Sequence, residues 1–88
     1  MDNFRLIFKI LTIYKETLWK VGVSPDDVTP ESLGTSETHI HNVLIVLRNA
    51  GLITGTNGDT IITLAGLEYL DSNYRMKAIA GERKPYSY

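Results

Sequence analysis

The chain has 88 residues, no cysteine and a formal net charge of −1, from nine Lys and Arg against ten Asp and Glu. That length makes one domain, which buries roughly 60–65% of its unfolded surface, and a hydrophobic share of 43% is ordinary for a globular chain and argues against disorder. Absence of cysteine excludes a disulfide scaffold, a thiolate metal site and a cysteine nucleophile, and suits a reducing cytoplasm; the near-neutral charge lacks the basic excess of a dedicated nucleic-acid binder.

The first predicted element is a helix from a cap at Asp2 to about Lys20, ended by Gly22. Phe4, Ile7, Phe8, Leu11, Tyr14 and Leu18 fall on one face at helical spacing. Leu6, Ile10, Ile13 and Thr17 form a second stripe, so the helix is expected to be covered from two sides, either within the domain or by a homodimer through this helix. Trp19, near its end, reads as a core or interface anchor. Arg5, Lys9, Lys15 and Glu16 interrupt the apolar run, so no bilayer span and no secretory leader are expected.

Ser24-Pro25-Asp26-Asp27 and Thr29-Pro30-Glu31 are consecutive helix-start signals. Pro30 disfavours an α conformation at Thr29, leaving either two short pieces or one short helix from near Thr29, closed by Gly34. A third helix starts at Thr35 or Ser36 and runs to Ala50, with Ile40, Val43, Leu44 and Leu47 as its buried stripe and Gly51 as a left-handed cap. Two extended runs follow, Leu52 to Thr54 and Thr60 to Thr63, around an Asn57-Gly58 hairpin turn. Thr63 then caps a fourth helix carrying Leu64, Leu67 and Leu70, with Tyr69 beside them, and a last helical piece runs from Tyr74 to about Ala80. The predicted fold is mostly α with a small β-hairpin, a winged helix-turn-helix over residues 1–80, followed by a flexible tail over 81–88.

The run Arg48-Asn49-Ala50-Gly51-Leu52-Ile53-Thr54-Gly55, then Ile62-Thr63-Leu64-Ala65-Gly66-Leu67-Glu68-Tyr69-Leu70, Asn73 and Met76-Lys77-Ala78, resembles the YjcQ family of small winged-helix proteins from bacteria and their phages. The Ile-Thr-x-x-Gly start is shared by many winged-helix families; the extension through Tyr69-Leu70, Asn73 and Met76 is more specific. The likeness covers the C-terminal half closely and the N-terminal half in layout. It implies the fold and a phage or prophage setting, hence a bacterial cytoplasm, and no defined activity.

Two classes of function follow, with DNA binding in transcriptional control as the leading expectation and protein interaction as the alternative. As a winged-helix regulator of transcription, the domain would bind double-stranded DNA with the outer face of the third helix. Its exposed face carries Thr38, Asn42, Ile45 and Asn49, with His39, His41 and Arg48 on the flanks; Thr38, Asn42, Arg48 and Asn49 would read base edges, and the late basic residues Lys77 and Arg83 would meet phosphates. Charge opposes that class: Val21 to Leu47 holds Asp26, Asp27, Glu31 and Glu37 and no Lys or Arg, although helix N-termini also favour carboxylates there. As a protein-interaction module, for example a phage assembly component or an inhibitor of a host nucleic-acid-binding protein, it would use those four carboxylates against a basic host protein. His39 and His41, two residues apart, point to different sides of a helix and cannot chelate one ion. No Ser-His-Asp grouping, phosphate loop or paired-carboxylate motif stands out, so neither an enzyme nor a cofactor is expected.

Overall fold

The computed structural model describes residues 3–55 and 59–72, and these form a mostly helical unit with one two-stranded antiparallel hairpin. Helix α1 spans Asn3–Trp19 without a glycine or proline. Its buried side chains are Leu6, Ile10, Leu11 and Tyr14, drawn from both predicted stripes, while Phe4 and Leu18 are exposed at its two ends. The reason is double coverage. α3 and the hairpin pack on the Leu6–Ile10–Tyr14 side. Phe8 shares a cleft with Leu67 and Leu70 on the other side. Leu6 and Ile10 have 0% of their surface exposed, so the stripe expected to form a dimer is interior to the protomer.

The segment after α1 resolves into two short pieces, a 3-10 turn over Pro25–Asp27 and α2 over Pro30–Leu33. Each is capped by its own side chains. The Ser24 hydroxyl accepts from Asp26 N at 3.1 Å, and the Asp27 carboxylate accepts from Ser24 N at 3.0 Å. Thr29 Oγ1 accepts from Ser32 N at 3.2 Å, while Ser32 Oγ donates to the Asp27 carbonyl at 2.6 Å. With Pro at the first helical position and an extended residue before it, neither piece can extend backward into the other. Gly34 takes φ +71° and turns the chain into α3, Glu37–Asn49, whose Ser36 cap accepts from His39 N at 3.1 Å.

α3 buries Ile40, Val43 and Leu47; Leu44, placed in the same stripe from sequence, is only half-buried at its edge. The helix ends in a Schellman motif: Gly51 N donates to the Arg48 carbonyl at 3.1 Å and Leu52 N to the Leu47 carbonyl at 3.0 Å. Strands β1, Ile53–Thr54, and β2, Ile61–Ile62, pair with Ile53 opposite Ile62 and Thr54 opposite Ile61, so the two inward isoleucines are buried. The predicted Asn57-Gly58 turn lies outside the described residues. Thr63 caps α4, seen over residues 64–72, accepting from Gly66 N at 3.1 Å and donating to the Gly51 carbonyl at 2.6 Å. In α4, Leu70 is buried and Leu67 half-buried, but Leu64 is exposed. The buried position in that turn is Gly66, which lies against the Leu52 carbonyl.

Two pairings set the relative sense of the long helices. His39, at the start of α3, bonds to Asn3 at the start of α1, and Arg48, near the end of α3, lies beside Tyr14, near the end of α1. The helices therefore run in the same direction.

Candidate functional surface on the third helix

The exposed positions of α3 are Glu37, Thr38, His41, Asn42, Ile45, Val46 and Asn49. At 3.6 residues per turn they fill the side opposite Ile40, Val43 and Leu47. Thr38, Asn42 and Asn49 are thus available, as the sequence indicates. Ile45, 42% exposed, lies along the middle of the face with Thr38, Asn42 and Asn49, and Val46, 56% exposed, lies at its edge.

Arg48 is less available than its flanking position in the sequence suggests. It is half-buried, and its Nε donates to the Gly55 carbonyl at 3.0 Å, tying the end of α3 to the hairpin. Its guanidinium also lies close enough to act on Tyr14. Burial raises the Tyr14 hydroxyl above its ordinary pKa, and the positive charge of Arg48 together with a side-chain hydrogen bond to Thr60 opposes that rise. Thr60 is itself buried, just before β2 on the turn side of the hairpin. Tyr14, Arg48, Thr60 and Gly55 thus join α1, α3 and the hairpin through polar groups, and the only Lys or Arg on α3 is spent within the fold.

His39 is likewise structural. One ring nitrogen meets Thr35 Oγ1 at 2.9 Å and the other meets Asn3 Oδ1, so the imidazole pins the start of α1 to the turn before α3. His41 is exposed on the outer face. Among the described residues no group of three or more His, Asp or Glu is placed to hold a metal ion.

Asp26, Asp27, Glu31 and Glu37 are all exposed. Each sits in the first turn of its helical piece, where a carboxylate complements the backbone dipole, and Asp27 is committed to the Ser24 amide. These local roles explain why carboxylates occur there; their charge still faces solvent. Lys77 and Arg83 lie outside the described residues. Of the other described basic residues, Arg5, Lys9 and Lys15 on α1 and Lys20 just after it are exposed; Lys15 lines the cleft with Leu67, Leu70 and Asp71, and Lys20 pairs with Glu16 at 3.3 Å.

The Arg48–Gly55 bond and the Tyr14–Thr60 contact were not foreseeable from spacing, since each closes through the hairpin. One signal was present: a threonine at the start of a strand otherwise built of isoleucine. No family model, curated protein or solved structure matches this chain.

Proposed function

We propose that this chain is a winged helix-turn-helix domain working as a protein-interaction module, which engages a basic partner through the outer face of α3 and the capped turn before it. The element order supports the winged-helix assignment: a helix, a short capped helix, a glycine turn, a longer helix and a hairpin leading into a fourth helix. The observation that carries the function is the make-up of the α3 face. Ile45 and Val46 are exposed on it, Glu37 stands at its first turn, and Val21 to Leu47 holds four carboxylates and no Lys or Arg. Exposed apolar side chains on an acidic stretch of chain suit a protein surface of the opposite charge, since burial supplies affinity and charge supplies steering. The resemblance of the stretch around Ile62 to Asn73 to the YjcQ family is in keeping with a phage or prophage setting within a bacterial cytoplasm.

DNA binding in transcriptional control is the second reading, favoured by Thr38, Asn42 and Asn49 standing exposed along one side of α3. Phosphate contacts decide against it as the leading reading. Each is made chiefly by Lys or Arg and together they supply most non-specific affinity, and here Arg48 is engaged by Gly55 while carboxylates occupy the approach.

The two readings separate in one pair of measurements. A defined Lys- and Leu-rich helical peptide serves as the basic probe, beside random and genomic duplex DNA in a mobility-shift assay. The expected result is probe binding that Ile45→Ser and Glu31→Lys each weaken, with a DNA shift confined to very low salt and indifferent to sequence. A sequence-selective shift at physiological salt that Asn42→Ala or Arg48→Ala abolishes would overturn the protein-interaction reading in favour of DNA.

A further inference from the structure

We draw no further inference here: the strongest candidate, the cleft between α1 and α4 lined by Phe8, Thr12, Lys15, Leu67, Leu70 and Asp71, is an apolar groove with one charge of each sign, so charge selects no occupant, and nothing in the structure shows what covers it.

Discussion

At Gly66 a β-carbon has no room: an ideal one would lie 2.3 Å from the Leu52 carbonyl oxygen and 2.6 Å from Ile62 Cγ1. The oxygen belongs to backbone that also accepts from Thr63 N at 3.0 Å, so it cannot yield without loosening the junction between hairpin and α4. Gly66→Ala should therefore destabilise the fold by about 1–3 kcal/mol or more, the range for overpacking, even though alanine is the better helix former. Urea denaturation measures this, and a variant as stable as the parent would mean that α4 is free to shift. Tyr14 carries a second residue-scale prediction. Its folded pKa is raised above the ordinary 10.0 by burial. Below pH 10 both states hold the proton and the stabilising contribution is complete. As pH climbs past that value the unfolded state ionises first, so stability falls until the folded value is passed. Tyr14→Phe should flatten this part of the alkaline limb, seen as a difference between parent and variant denaturation midpoints that narrows above pH 10.

Among the elements, α3 shows what a sequence makes legible. Its bounds follow from local chemistry, a serine that accepts from the third amide and a glycine able to take φ +79°, and both are visible without a structure. The same holds for the hairpin register, where alternation places Ile53 and Ile62 inward. α1 was harder because two apolar stripes competed, and the inner face is set by which neighbours arrive from distant parts of the chain. That long-range information also decides the fates of Arg48 and His39, read as flanks of a binding face and found bonded to Gly55 and Asn3. Depth within one stripe follows from the same packing. Leu47 is almost fully buried and Leu44 sits at the edge. Leu47→Ala should cost about 2–5 kcal/mol by leaving a cavity, and Leu44→Ala clearly less, because solvent and neighbours refill a half-open site. Equal losses for the two, measured by denaturant titration, would contradict the phase of α3 described above.

At the scale of the whole molecule, a chain of this size has one core and is expected to unfold in a single cooperative step. The buried cluster supports that: Leu6, Ile10 and Leu11 from α1, Leu33 from α2, Leu47 from α3, Ile53 and Ile62 from the hairpin and Leu70 from α4 all belong to it, so no element has a separate core. Trp19 stands outside the cluster, contrary to a role as core anchor, and this separates two optical signals that usually travel together. Far-ultraviolet circular dichroism should report a single urea transition with a slope of about 1 kcal/mol per molar, the low end expected for a small domain. Tryptophan emission from the dilute protomer should begin near that of the free side chain in water and move little across the same transition, since unfolding changes its surroundings only slightly. A dilute sample whose emission starts at short wavelength and shifts together with the dichroism would place Trp19 in the core, against its exposure at the end of α1.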